Sequence, residues 1–393
     1  MKGAGILCLS LLPLLQIVPP AVQQKPAPPA APPSKTAAPT APELFPLAVM
    51  WRHTLDAPPA APAGFDDHLA YVPLRTGQIV AVLLTTGAPS WSAHVASKFA
   101  PVTGSDLVFV ATAEGVAALA SADGATRWRV DTGSPPSGSP YFDAGRLVVG
   151  TESGDILAID AEDGRTLWRR PLGSPLKGCP TFAPDRLLVS LGDGRVVALK
   201  PTSGETLWQQ KLDGTPGDLV TVDARVYVGS KDGFLYCLSV ADGRIRWRWK
   251  TGGAIIGRPI VDDRLVYSVS MDNQLRALDR SSGVQRWKTT LPARASAGLC
   301  LLDGRILAAG DGSFDAFQRR DGKAAGRYTA PADQILMGLP HVSRGLKELD
   351  TKIFFVTGEG LISALGSAAN APAAGKTPAV TGRPGPGHDR SLP

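Results

Sequence analysis

The sequence of 393 residues is poor in charge and in aromatic side chains: 19% of residues are Asp, Glu, Lys or Arg, and 6% are Phe, Trp or Tyr. An interior must therefore be built mostly from Val, Leu, Ile and Ala, and the hydrophobic fraction of 44% excludes a wholly disordered chain. No apolar run reaches the roughly 20 residues of a membrane-spanning helix. Cysteine is scarce, with Cys8, Cys179, Cys237 and Cys300 far apart in the chain. The five histidines, at 53, 68, 94, 341 and 388, show no metal-ligand spacing. Phosphate loop, nucleophile elbow and paired-His zinc motif are all missing. The net charge of +6 arises from 41 basic and 35 acidic residues, with no basic run longer than Arg169-Arg170 or Arg319-Arg320. A nucleic-acid groove, which clusters Lys and Arg around exposed aromatics, gains little support from that distribution.

Glycine and proline are plentiful instead, 43 and 35 residues, which points to many tight turns. The glycines have no three-residue period, so collagen is excluded. At the start, Met1-Lys2 precedes the apolar run Ile6 to Val18, the pattern of a secretory signal peptide. Cleavage is expected near Ala21, although Pro19 stands where a small residue is preferred. Cys8 lies only two residues into the apolar run, which fits an ordinary signal residue rather than a lipid-bearing one. The sequence then divides into a signal peptide at 1–21, a Pro/Ala-rich linker at 22–48, one folded region at 49–366 and a tail at 367–393, with linker and tail expected to lack a core.

Tryptophan carries the organisation. It stands at 51, 91, 128, 168, 208, 247 and 287, with Trp249 as one extra, and the intervals are 40, 37, 40, 40, 39 and 40 residues. From Trp91 to Trp287 each periodic Trp ends the same phrase, as in TESGDILAIDAEDGRTLW from Thr151 to Trp168. A small residue marks eight copies: Ala81, Ala118, Ala158, Ala198, Cys237, Ala277, Ala316 and Ala364. Alternating apolar stretches between Gly-containing turns read as four short strands per copy, the pattern of a β-propeller blade. The turn glycines supply positive φ, and Asn273, the one replacement, tolerates it best.

Copy eight stops at Ala364-Leu365 before its Trp strand, while the folded region opens on Trp51-Arg52-His53-Thr54, a Trp strand without a blade. The first strand is therefore predicted to complete the last blade, giving an all-β, eight-bladed ring with no free edge at the chain ends. The seven periodic Trp are predicted to pack each blade on the next. Copy seven departs, with Gly326 at the Trp position and Tyr328 two places on, and copy eight carries an insertion around Ser343 to Lys352. Both are expected to be looser. Repeated pairs such as Asp163-Gly164 and Asp193-Gly194 resemble fragments of calcium loops, but hairpin turns account for them.

The phrase Ala-x-Asp-x-x-x-Gly-x-x-x-Trp, complete in Ala158-Asp160-Gly164-Trp168 and Ala277-Asp279-Gly283-Trp287, resembles the docking motif of pyrroloquinoline-quinone (PQQ) type propeller repeats across 49–366. That family holds quinoprotein dehydrogenases and non-enzymatic propellers of the outer-membrane assembly factor BamB type. The resemblance implies, for the enzymes, a catalytic Asp, calcium ligands, long loops and commonly an adjacent-cysteine disulfide; this sequence has minimal connections and no such cysteine pair. Positions expected at the mouth of the axial channel are Ala61, Ala100, Ser139, Cys179, Asp218, Arg258, Leu299 and Leu339, with Asp218 and Arg258 on neighbouring blades and an ion pair expected between them. This ring has no general base pair and no cluster of oxygen ligands. No disulfide among the three later cysteines, no metal and no cofactor are expected.

In the BamB type, a Leu-Arg-Gly stretch ahead of the fourth unit contributes to the partner surface, and Leu176-Lys177-Gly178 matches it here. Lys does not reproduce the planar fork of Arg. The leading expectation is an exported, monomeric, non-enzymatic scaffold in the periplasm or at the periplasmic face of the outer membrane, binding other envelope proteins such as an outer-membrane assembly barrel. The alternatives are a PQQ-dependent dehydrogenase and a sensor propeller that binds a ligand or cell-surface polymer.

Overall fold

The computed structural model describes residues 45–302, 304–331, 334–343 and 352–368. The signal peptide at 1–21, nearly all of the linker and tail, and the interior of the Ser343 to Lys352 insertion lie outside the described residues. Eight antiparallel sheets of four strands follow one another, each a simple meander with neighbouring strands adjacent in sequence, except the last. That sheet orders His341–Ser343, Lys352–Val356 and Leu361–Ser367 beside Leu47–Thr54. Trp51 is paired with Ala364 and His53 with Ile362, so the strand nearest the N-terminus closes blade 8 in the register that the two complementary defects require. First strands contact the first strands of adjacent blades and thus surround the axis; fourth strands form the rim.

Second and third strands are almost wholly buried, as in Leu147, Val148 and Val149 against Ile156, Leu157 and Ala158. They are buried on both faces because each sheet is covered by two neighbours, which explains their unbroken apolar runs. Rim strands alternate between exposed and half-buried residues, as in Thr206–Lys211. Every rim strand also carries a bulge at the residue before the Trp position, for example Leu167 between the pairs Ala158–Trp168 and Ile159–Thr166.

Each periodic Trp enters a socket on the following blade. Its indole N–H donates to a turn carbonyl there: Trp51 to Leu84 at 3.0 Å, Trp91 to Ser121 at 2.8 Å, Trp128 to Ala161 at 3.1 Å and Trp168 to Pro201 at 2.8 Å. Trp208, Trp247 and Trp287 repeat the bond to Val240, Arg280 and Arg319. The ring lies on a turn glycine of the receiving blade; Gly204, at φ 66°, receives Trp168. That glycine serves two purposes, since the turn needs positive φ and a β-carbon would overlap the indole. Gly164 and Trp168, four residues apart in one phrase, thus belong to different junctions: Gly164 receives Trp128. Asn273 takes φ 62° in its turn.

The junction between blades 7 and 8 is different. Gly326 pairs with Ala316 where the other blades pair Trp, and the Phe45 ring lies over it. Tyr328 stacks on Phe314 at 5.0 Å and approaches Phe355 at 5.4 Å. Contrary to the expectation of a loosely packed seventh blade, this junction has an aromatic filling, with Phe45 supplied from the other end of the chain.

Candidate functional site

First strands differ in length around the axis, and the difference locates a hollow. In blades 5, 6 and 7 they are long: Pro216–Val222, Ile255–Val261 and Ala295–Leu302, of 7, 7 and 8 residues. In blades 2, 3 and 4 the first strands are Val102–Gly104, Tyr141–Asp143 and Thr181–Ala183, each of 3 residues. Ahead of those short strands the approaching chain stands apart, leaving a hollow of about 500 Å³ lined by Ser139, Tyr141, Leu176, Lys177, Cys179 and Asp218 among others.

Strand pairing fixes which residues are equivalent at the mouth. Gly64, Val102, Tyr141 and Thr181 pair with Tyr71, Phe109, Val148 and Leu188; Val220, Ile260, Cys300 and His341 pair with Tyr227, Tyr267, Leu307 and Phe354. Two residues earlier stand Pro62, Ala100, Ser139, Cys179, Asp218, Arg258, Gly298 and Leu339. Six of the eight positions that the sequence reading aligned share this register, and two do not. Ala61 and Leu299 are each one residue out of register, and their exposures of 2% and 4% show side chains turned into the core. A one-residue slip reverses the face that a side chain occupies. The run of prolines around Ala61 and the register irregularity between Ala295 and Leu299 concealed the slip.

The expected Asp218–Arg258 ion pair is not formed. Asp218 Oδ1 accepts the Cys179 N–H at 2.7 Å, bridging blades 4 and 5, and Arg258 is exposed. Burial pushes the Cys179 thiol up to about 11, reinforced by the Asp218 charge and opposed by Arg258. At neutral pH it is a thiol, not a nucleophilic thiolate. Tyr141 is also raised, first by burial and then by Cys179 and Asp143. Cys179, Cys237 and Cys300 are all free. The mouth positions offer one carboxylate, already engaged with a backbone N–H, so this donor set does not fit a calcium-held quinone. The Asp-Gly carboxylates are occupied locally: Asp163, Asp193 and Asp242 each accept the N–H two residues on, at 2.8, 3.1 and 3.2 Å.

Leu176, Lys177 and Gly178 come to the hollow in different ways. Leu176 is 8% exposed, bridges to Leu191 and packs against Gly150, so its side chain is part of the core rather than open to a partner. Gly178 lies so close to the Gly217 carbonyl and Ser190 Oγ that a β-carbon would overlap both. Lys177 alone of the three is exposed, and its N–H donates to the Ser190 carbonyl at 3.0 Å. The burial of Leu176 was hidden because the residues that cover it are distant in sequence: Gly150 ends the second strand of blade 3, and Leu191 follows the second strand of blade 4.

Across the ring, His341 stacks on Phe65 with centroids 4.4 Å apart and planes 4° from parallel, joining blade 8 to blade 1. Burial lowers its pKa from 6.5, partly opposed by Asp67 and Asp66. The folded state therefore binds the proton less tightly than the unfolded chain. Stability is full above pH 6.5 and falls as pH drops from 6.5 toward the depressed folded value. Melting curves at intervals between pH 5 and 7.5 are expected to show this fall, and His341→Gln is expected to flatten it.

The family model described as outer membrane protein assembly factor BamB matches residues 48–137, 112–221 and 192–373. BamB of Yersinia pestis is 32% identical over 79 residues, covering 20% of this chain and 20% of that protein, so the match spans only a fifth of that relative. The structure of BamB from Moraxella catarrhalis superposes with a TM-score of 0.64 at 19% identity, covering 81% of this chain and 97% of that one. A quinohemoprotein alcohol dehydrogenase from Pseudomonas putida HK5 also gives 0.64, at 14% identity, covering 88% of this chain and 79% of that one. At these identities the two structures speak to the fold alone. The matched residues of the family model run through all eight blades, and the chain belongs to the PQQ-type propeller family of the outer membrane protein assembly factor BamB.

Proposed function

We propose that this propeller is an exported, non-enzymatic scaffold that binds envelope proteins through the loop end of its ring, with a role in outer-membrane protein assembly like that named for its family. The observation that carries this reading is the exposed Lys177 at the edge of the 500 Å³ hollow. Its backbone is fixed on either side by buried Leu176 and closely packed Gly178, so the cation is presented by a rigid support, as a partner site requires. Ile335 and Leu339, 56% and 38% exposed, add apolar contact area at the same end of the ring. Residues 1–21 would direct export, the Pro/Ala-rich stretch from 22 would tether the ring, whose strands run from Leu47 to Ser367 rather than from 49 to 366, and the remaining tail would trail from it.

In a pull-down from envelope extracts, the full chain is expected to recover an outer-membrane assembly barrel, and Lys177→Glu to reduce that recovery about tenfold. Failure of the unaltered chain to recover such a barrel would count against the proposal. The dehydrogenase reading is tested by adding PQQ and calcium to the purified protein. No bound-quinone absorbance and no dye reduction are expected, and either signal would overturn the scaffold reading.

A further inference from the structure

The charge of this chain is nearly balanced as a whole but not at its rim. The eight rim strands together carry twelve Lys or Arg and a single acidic residue, Asp131, whereas the full chain has 41 basic and 35 acidic residues. At the overall ratio, thirteen charges would divide about seven to six. Lysine is the charge most used to protect sheet edges, but nine of these twelve cations are arginine, and every rim strand already has a bulge to disrupt pairing. Edge protection therefore does not explain the bias toward one sign.

Blades 3, 4 and 5 concentrate it. Their rim strands are Thr166–Pro171, Thr206–Lys211 and Ile245–Lys250, with Arg169, Arg170, Lys211, Arg246, Arg248 and Lys250 and no acidic residue. Arg169 pairs with Asp155 at 3.2 Å and Arg248 with Asp213 at 3.0 Å. The other four form no ion pair among the described residues and bond to neutral oxygens: Arg170 to the Gly204 carbonyl at 3.0 Å, Lys211 to the Asp193 carbonyl, Arg246 to Ser239 Oγ at 3.4 Å and Lys250 to the Asp232 carbonyl at 2.5 Å. The adjoining turns add Glu162, Asp163, Glu205 and Asp242 against Arg165, Lys200 and Arg244, which leaves the region net basic. Between the cations stand aliphatic side chains in the open: Leu167 at 36%, Leu207 at 42% and Ile245 at 40% exposure. Leu167 and Leu207 are the extra residues of their bulges and so protrude.

We propose that the rim of blades 3 to 5 is a docking surface for an anionic lipid bilayer. Cations interleaved with protruding aliphatics suit a charged headgroup layer with hydrocarbon just beneath it. A convex rim meets a flat sheet of charge, whereas a polyanionic chain is held in a groove with aromatic stacking platforms. Here Trp168, Trp208 and Trp247 are committed to their sockets, and Trp249, half-buried, packs against the core cluster around Leu235.

The test is co-sedimentation of the full chain with vesicles of phosphatidylcholine, with and without phosphatidylglycerol, over a salt series. Binding is expected only with phosphatidylglycerol and is expected to be released as salt rises. The triple variant Lys211→Gln, Arg246→Gln, Lys250→Gln is expected to lower the partition coefficient on the order of 100-fold. Arg246→Gln alone, the milder change should the triple variant melt early, is expected to lower it about fivefold. A control triple with the same net charge, Arg75→Gln, Lys98→Gln, Lys231→Gln at the loop end, is expected to bind as the unaltered chain does. Equal losses from the two triples, indifference to phosphatidylglycerol, or tighter rim-dependent binding of soluble heparin than of vesicles would each overturn the proposal. Lys177→Glu is expected to leave vesicle binding intact, which separates this surface from the proposed partner site.

Discussion

Trp168→Ala is expected to lower the free energy of unfolding by about 3–5 kcal/mol, the range for removing a buried Trp from a core. Denaturant titration followed by far-ultraviolet circular dichroism would measure it. The indole is 9% exposed, its N–H is bonded to the Pro201 carbonyl at 2.8 Å, and its ring covers Gly204. Truncation removes that packing, leaves the Pro201 carbonyl without its partner and opens the wall between blades 3 and 4. Trp249, the tryptophan outside the repeat, gives the contrast: it is only half-buried and bonds to no turn carbonyl among the described residues, so Trp249→Ala is expected to cost clearly less. Gly204→Ala should behave as the other half of the socket. Its added methyl collides with the indole in the unaltered chain, but in a Trp168→Ala background only the strain of a side chain at φ 66° remains. The two substitutions together are therefore expected to cost less than their separate sum.

That pair also marks the limit of what the repeat pattern makes legible. A period near 40 residues, a small residue at a fixed place and two complementary end defects sufficed for eight blades and for their closure, because each copy repeats the same local physics. The assignment of junctions was not legible. Gly164 and Trp168 occur in one phrase and read as one unit, yet each serves a different neighbour, and only three-dimensional stacking reveals the offset. The same holds at the mouth. Alternation along a strand identifies faces only where the register is regular, and the irregular first strand of blade 7 put Leu299 on the core face and Gly298 at the mouth. For Asp218, neighbouring blades in sequence suggested Arg258 as partner. The carboxylate instead turns to the backbone N–H of Cys179 on the preceding blade, a donor that carries no sequence signature.

The largest departure from the repeat is compensated by a residue from outside the repeat. Gly326 reads as a missing tryptophan, but the Phe45 ring, from just before the closing strand, occupies the space above it, and Arg305 stands 6.0 Å from the same ring. Restoring the repeat at this position is therefore expected to harm the protein. Gly326→Trp would set a side chain on a backbone at φ 154°, where residues with a β-carbon are strained, and would drive the indole into Phe45. The expected cost is about 1–3 kcal/mol of backbone strain together with about 1–3 kcal/mol of overpacking. Phe45→Ala in the same chain removes the collision and leaves the strain, so the double variant is expected to be more stable than Gly326→Trp alone by about 1–3 kcal/mol. Phe45→Ala by itself should destabilise, since it leaves Gly326 uncovered beside Tyr328 and Phe355. A double-mutant cycle in denaturant reads the coupling directly. Simple additivity would mean that Phe45 does not stand in for the absent tryptophan, and the eighth junction would then depend on the Tyr328, Phe314 and Phe355 contacts alone.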